Sequence, residues 1–320
     1  MALLATMLAI ALMTIIVVDF TSSSALGYLS DANHANEIRS AYLARSAVNV
    51  GLALIAQDTR AQQAQPGSSG VTPQAAPFDS FASVWAIPFP PMPVNGGTVQ
   101  LAVVDEARKF NINKLITTQP VNGVPAGQVD PNAVLQLTRL FGILGLSPDI
   151  VPAIVDWEDR DSVDSPGGSE ADYYLGLIPP YEPRNSWMPT LGDLRQVRGV
   201  DDIMFIKLSQ YLTVAPEKAV NPNTASPEVL ACLEDALAQN PRIVDAIIQA
   251  RMIRPFTNIT DVKNLPGVGE IQGLDKDLTT RGEYFTISGV GKYAGARKLV
   301  SATFHRNEDG TATLGSWQED

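Results

Sequence analysis

Residues 1–18 read MALLATMLAIALMTIIVV, an unbroken apolar run followed directly by Asp19. A helix needs about 20 mostly apolar residues to cross a bilayer, and residues 1–20 meet that length. A cleavable secretory signal would show a basic segment ahead of the run and a small-residue cleavage site behind it. Neither is present: no Lys or Arg precedes the run, and Asp19-Phe20-Thr21 follows it. A buried core helix needs neighbours, and a terminal stretch of this length has none close by. The run is expected to anchor the chain in a membrane. An anchor normally keeps basic residues on its inner side, so their absence fits a chain whose basic leader has been removed.

The pattern continues outward from the run. After Ser22-Ser23-Ser24-Ala25, apolar residues Ile38, Ala41, Tyr42, Val48, Leu52 and Ile55 recur mostly at three- and four-residue steps, which predicts a helix. Residues 1–60 therefore read as one long helix, membrane-spanning over 1–20 and amphipathic thereafter. Asp31, Asn33 and Asn36 are able to cap a break, giving a kink near Gly27.

Residues 61–95 are rich in Gln, Pro, Gly and Ser, with QPGSSG and PFPPMP among them, and are expected to form a linker. Phe78, Phe81, Trp85 and Phe89 lie within it, so part should pack on the domain as a strap. Gly97 to Val104 alternates as a strand, and Asp105 to Lys109 offers a turn before Phe110-Asn111-Ile112-Asn113. A matching β pair, Tyr284 to Val290 and Arg297 to Arg306, stands far downstream. Between them lie helical patterns at Ala133–Leu144, Asp193–Val197, Pro227–Leu237 and Ile243–Met252. The expected class is α+β: a long N-terminal helix, a small antiparallel sheet split between 96–114 and 283–306, and a large helical domain, 115–282, inserted into it. Residues 307–320 read as a frayed polar tail.

Composition narrows the function. A 320-residue chain with 45% hydrophobic content can bury a substantial core, and its net charge of −11 opposes phosphate binding, so no nucleic-acid partner is expected. That charge suits a calcium-rich exterior better. The lone cysteine, Cys232, lies in an apolar stretch and reads as a buried structural thiol. The two histidines, His34 and His305, lie far apart, with no partner motif for catalysis. Gly289-Val290-Gly291-Lys292 imitates part of a phosphate loop, but Tyr293 stands where Ser or Thr is required, and a hairpin turn explains the glycines. No enzymatic role is expected.

The densest polar group is Asp156, Glu158, Asp159, Asp161, Asp164, Glu170 and Asp172, interrupted by Pro166-Gly167-Gly168. Seven carboxylates this close repel one another unless solvated or neutralised. Calcium takes six to eight oxygen ligands, so a loop folded around an ion would relieve the repulsion. The spacing does not match an EF-hand, and a solvated acidic loop is the competing reading.

Several segments together resemble a known family. Val104-Asp105-Glu106, Phe110 to Asn113, Asp156 to Asp161, Pro166 to Glu170 with Tyr173-Tyr174, Leu194 to Gly199, and Val220 to Ser226 are similar, in the same order, to the K-type minor pseudopilins of type II secretion systems. The resemblance implies a pilin-like fold, anchorage in the bacterial inner membrane with the C-terminal domain in the periplasm, and a place at the pseudopilus tip, where the subunit initiates or caps fibre assembly. It also implies processing by a prepilin peptidase, with Met1 as the mature, N-methylated terminus, and partnership with I- and J-type minor pseudopilins and the major pseudopilin. Most pilins carry a glutamate at the fifth mature position that pairs with the subunit ahead. Ala5 stands there, as in K-type subunits, and marks a tip position; an unpaired carboxylate in the membrane is costly. Calcium in the helical domain is likewise implied, with Asp156, Asp159, Asp161, Asp164, Glu170 and Asp172 as the candidate ligands. A minor pilin at the tip of a type IV pilus, with an adhesive or assembly-priming role, is the alternative.

Two turn motifs complete the reading. Leu265-Pro266-Gly267-Val268-Gly269 looks like the hairpin of helix-hairpin-helix modules, but Glu270 follows and the chain is acidic. Ser226-Pro227 suits a helix start. Both read as helix-capping turns.

Overall fold

The computed structural model describes residues 2–63, 77–117 and 127–320. Its first element, α1 (Ala2–Gln63), is a single uninterrupted helix, about 90 Å long at 1.5 Å per residue. No break forms at Gly27, because the chain there holds no proline and the helix passes through without a cap. Residues 2–31 are exposed, and among the described residues this is the one helix long and apolar enough to cross a membrane. Within the apolar part, the hydroxyls of Thr6, Thr14 and Thr21 donate to the carbonyls of Leu3, Ile10 and Val17. Those polar groups need no partner from lipid.

The lower part of α1 lies on a five-stranded antiparallel sheet in the order β1-β2-β5-β6-β7. The strands are β1 (Met92–Val94), β2 (Gly97–Asp105), β5 (Tyr284–Tyr293), β6 (Ala296–Arg306) and β7 (Ala312–Glu319), while β3 (Phe110–Asn111) and β4 (Leu212–Thr213) pair separately and in parallel. Alternation along β5 and β6 puts Phe285, Ile287, Val300, Ala302 and Phe304 under the helix. It turns Thr286, Thr303, Ser288 and Ser301 outward as hydrogen-bonded cross-strand pairs. Ala294 and Gly295, both at positive φ, close the β5–β6 hairpin.

The helix face that meets the sheet is built from small residues: Ser40, Ala44, Ala47, Val48, Gly51 and Ile55 are buried, whereas Ile38 and Tyr42 are exposed. Glycines in the sheet explain this choice. A Cβ on Gly289 would lie 2.2 Å from the Ala44 carbonyl oxygen, and one on Gly291 would lie 2.0 Å from that of Ser40. Backbone meets backbone, so the contact favours smallness over bulk. Trp85 of the strap, edge-on to Phe285 at 5.1 Å, closes this core.

Two expected boundaries are corrected. Residues 61–63 continue α1, and the strap contributes β1 at 92–94, where Pro93 sits on an edge strand and its missing N–H costs nothing. Residues 64–76 of the strap lie outside the described residues. The tail is not frayed: 312–319 form β7, pinned to β6 across a bulge at Thr303/Phe304 and by Glu319 bonding to Arg45 at 2.8 Å.

Between β2 and β5 the chain leaves the sheet and builds a second, larger core. Its main helices are α2 (Pro131–Ile143), α3 (Val151–Glu158), α4 (Ala171–Leu175), α5 (Asp202–Leu208), α6 (Pro227–Leu233), α7 (Asp235–Gln239), α8 (Pro241–Ile253) and α9 (Ile259–Lys263). Caps follow the sequence: Asp130 accepts from the Asn132 amide ahead of α2, and Ser226 accepts from the Val229 amide ahead of α6. Cys232 is fully buried, and burial pushes its thiol up to about 12, which makes it inert.

The insert and the sheet are joined by a buried polar junction. Arg306 grips Asp79 of the strap with both terminal guanidinium nitrogens, and Asp79 accepts from the Gly282 amide at 2.9 Å. Asp105, at the end of β2, accepts from the Thr224 hydroxyl at 2.7 Å, Asn221 Nδ2 at 3.0 Å and the Ala107 amide at 3.0 Å. Glu217 accepts from the Glu283 and Tyr284 amides. Strap, sheet and both ends of the insert are thereby tied at one place.

Candidate metal centre

The acidic group sits where α3 ends. Pro152 occupies the first turn of α3, and Asp156 in its last turn is fully buried. Asp159 leaves the helix in extended backbone as its C-cap. The negative end of the helix dipole therefore points at carboxylates, an arrangement that calls for a positive charge.

The loop then folds back. The Ser165 amide donates to both carboxylate oxygens of Asp156 at 3.2 Å, and the Glu170 amide donates to Asp164 Oδ1 at 2.8 Å. These bonds bring Asp156, Asp159 and Glu170 together: one oxygen from each lies within 4.8 Å of the others. Gly168 makes the approach possible, since a Cβ there would fall 1.9 Å from Asp156 Oδ2. Arg198 holds the loop from outside, donating to the Gly168 carbonyl at 3.2 Å and the Ser169 hydroxyl at 2.6 Å, and lies over the Tyr173 ring.

Of the six expected ligands, the structure groups these three. Asp161 and Asp164 stay exposed and serve as turn acceptors, Asp161 for the Val163 amide. Their charges still reach Glu170. Asp172 stands apart: it faces solvent in the first turn of α4, where a negative charge suits the helix N-terminus.

Electrostatics mark the group as incomplete. Both oxygens of Glu170 and one of Asp159 are buried with no hydrogen-bond partner. Burial, reinforced by neighbouring carboxylates, raises Asp159 to about 6 and Glu170 to about 7. Buried acceptors without donors are uncommon and call for an explanation, and a cation bound by oxygens supplies one. The donor set, carboxylates alone with no sulfur or imidazole, suits a hard ion such as calcium. Glu158, on the opposite side of α3, is buried as well, and burial alone raises its carboxyl well above the usual range. Sequence reasoning found the acidic loop but gave Arg198 no role, although it lies inside the Leu194 to Gly199 segment of the resemblance. The Pro-Gly-Gly break was the visible trace of Gly168.

Comparison with known proteins gives a consistent result. Family models described as type II secretion system, protein K match residues 108–217 and 220–281, together more than half of the chain. A type II secretion system protein K from Pseudomonas aeruginosa is 26% identical over 318 residues, covering 97% of this chain and 89% of the relative. One from Aeromonas hydrophila is 29% identical, covering 70% of this chain and 72% of the relative. The crystal structure of the GspK-GspI-GspJ complex from enterotoxigenic Escherichia coli contains a chain that superposes with a TM-score of 0.69 at 18% identity, covering 94% of this chain and 99% of that one.

Proposed function

The chain belongs to the protein K family of type II secretion systems and is a minor pseudopilin, and from that premise we propose that it forms the tip of the pseudopilus. One observation carries this reading: α1 presents residues 2–31 free of its own fold, while the sheet end bears a helical insert larger than the sheet itself. The free helix is an assembly surface, and the insert obstructs a subunit that would be added above. The apolar run 1–18 holds no carboxylate, which supports the same position, because a subunit with nothing ahead of it gains by omitting one. The type IV pilus reading is set aside, since the named relatives are secretion proteins.

In this reading the protein acts by assembly and not by catalysis. Residues 1–20 hold it in the inner membrane with the remaining domain in the periplasm. Met1 lies outside the described residues. The I- and J-type minor pseudopilins join it in a tip complex, and the major pseudopilin follows below; the Escherichia coli complex named above supports that partnership. Calcium is held by Asp156, Asp159 and Glu170, where it neutralises their mutual repulsion and fixes the loop between α3 and α4.

The tip reading is tested in a secretion strain that lacks its own protein K and overproduces the major pseudopilin. Supplying the full chain should shorten surface fibres and restore secretion. A variant lacking 115–280 should do neither, and normal secretion by that variant would sink the reading.

A further inference from the structure

α1 runs over β5, where Gly289 and Gly291 lie against the carbonyls of Ala44 and Ser40. On the β2 side the strap fills the flank beside the helix, with Trp85 buried against Phe285. On the other side stands β7, two strands from β5 across β6, and every one of its residues is exposed. Its register with β6 sets Leu314, Trp317 and Glu319 opposite Phe304, Ala302 and Val300, so all three share the face that carries α1. Two strand spacings of about 4.8 Å place β7 roughly 10 Å from β5. Packed helices stand about 8–10 Å apart, so β7 forms a shelf as wide as a second helix beside α1 requires.

The shelf has a built inner edge. On α1, Ile38, Tyr42, Arg45, Asn49, Leu52 and Ala56 recur at alternating steps of four and three, the spacing of a helix–helix seam. That stripe lies on the β7 flank: Arg45 bonds to Glu319 at 2.8 Å, and Gly310, just ahead of the strand, lies beside the Ala56 carbonyl. Arg45 also sits over the Tyr42 ring, 5.7 Å from its centre. Arg45 foremost, with the Trp317 indole N–H behind it, holds the Glu319 carboxyl below its usual range. Tyr42, Arg45, Glu319 and Trp317 are thus linked into one platform, yet Tyr42 and Trp317 remain 63% and 41% exposed. Arg45 lies about 27 Å up α1 from Gln63, whereas residues 64–76, outside the described residues, leave at Gln63 and rejoin at Phe78, which is bonded to Gln62.

We propose that this shelf receives a helix of a neighbouring pseudopilin, laid alongside α1 with an apolar face on Tyr42, Leu314 and Trp317. The proposal rests on the assembly reading above and adds the flank on which assembly takes place. The platform selects its occupant. Tyr, Trp and Arg are the side chains that most often carry interface energy, and here Arg45 is already engaged by Glu319, so what Tyr42 and Trp317 offer is ring surface. A partner strand would pair with the free edge of β7 and leave the α1 side of the shelf bare, whereas a helix fills it. Ile38 and Tyr42 carry the same stripe upward toward residues 2–31, which stand free of the fold, so an incoming helix meets one continuous surface. The β2 flank, filled by Trp85, offers no such place.

The test co-produces the full chain in membranes with the I-type, J-type and major pseudopilins and places the photo-crosslinker p-benzoylphenylalanine at one position at a time. Leu314 probes the shelf, Ser316 the opposite face of β7, and Val84 the strap flank. An adduct with another pseudopilin, mapping to its N-terminal helix, is expected from position 314 and roughly tenfold or more weaker from 316 and 84. Trp317→Ala should lower co-purification of that pseudopilin by a similar factor, and Trp317→Phe should retain it; the crosslink decides the matter if Trp317→Ala folds poorly. Partners that co-purify without an adduct at 314, equal adducts from 316 or 84, or an adduct that maps to a partner's head overturn the proposal and leave the assembly reading standing. If no pseudopilin co-purifies with the unsubstituted chain, the assembly reading falls and the proposal falls with it.

Discussion

At the junction of sheet and insert, Asp79, Asp105 and Glu217 each find donors inside the fold; in the acidic loop, Glu170 and one oxygen of Asp159 find none. Both clusters are buried and both concentrate carboxyl groups. The difference is that the junction carries its own cation, Arg306, with amides and amide side chains filling the remaining acceptor positions. The loop has Arg198 close by, but that guanidinium is turned to the Gly168 carbonyl and the Ser169 hydroxyl. A self-satisfied cluster is a structural joint, whereas an unsatisfied one is a receptor for something brought from outside.

The comparison breaks most visibly if the junction loses its cation. Arg306→Ala should leave Asp79 buried and unpaired and cost about 3–5 kcal/mol in chemical denaturation, while Asp79→Asn combined with Arg306→Met should cost far less than the two single changes summed. A single-variant loss below about 1 kcal/mol would make the joint a bystander. Next in size is the receptor side. With calcium at a hundred times its dissociation constant, the folded protein should gain roughly 2.7 kcal/mol, seen as a raised melting temperature that chelator reverses. Gly168→Ala, by pushing a methyl group into Asp156, should abolish that gain.

The joint also has an acid–base signature. Burial raises Asp105 to about 7 and Glu217 to about 8. In the fold both keep protons that an unfolded chain has already lost above about pH 4. The folded state therefore binds more protons between those limits, and its stability is full at low pH and falls as pH rises through about 7 and 8, by up to about 1.4 kcal/mol per pH unit for each proton retained. Glu217→Gln should flatten this slope in urea melts from pH 5 to 9; an unchanged slope would place the titration elsewhere. The smallest effect belongs to Glu170→Gln. Without calcium it should stabilise the protein by about 1 kcal/mol, since it removes one member of a repelling group, and with calcium it should lose the metal response.

Residue patterning along the chain shows the anchor, the two-part sheet and the inserted helices, because each rests on local periodicity or on a turn residue. It shows less where the partner lies far away. Val48 and Ile55 of the expected apolar face of α1 are buried on the sheet, but Ile38 and Tyr42 are exposed, and Ser40, Ala44 and Gly51 fill the upper contact, because Gly289 and Gly291 face Ala44 and Ser40 there and a small-on-small contact leaves no hydrophobic period. β7 was hidden by its polarity: every residue in it is exposed, so alternation had nothing to mark. Arg306 and Asp79 stand 227 positions apart, and nothing near either announces the other. The acidic loop was visible as a concentration of charge. Which carboxylates converge was decided by Gly168 and by the amides of Ser165 and Glu170, features of the folded backbone alone.

The unbroken course of α1 has a mechanical consequence. A rod with no hinge between bilayer and sheet transmits torque as well as tension. In the proposed assembly, a tilt or rotation of the exposed part of α1 would be carried to Gly289 and Gly291, where the sheet backbone lies against the backbone of Ala44 and Ser40. Sheet and insert would then turn with the shaft, so the orientation of the head would follow that of the helix that carries it.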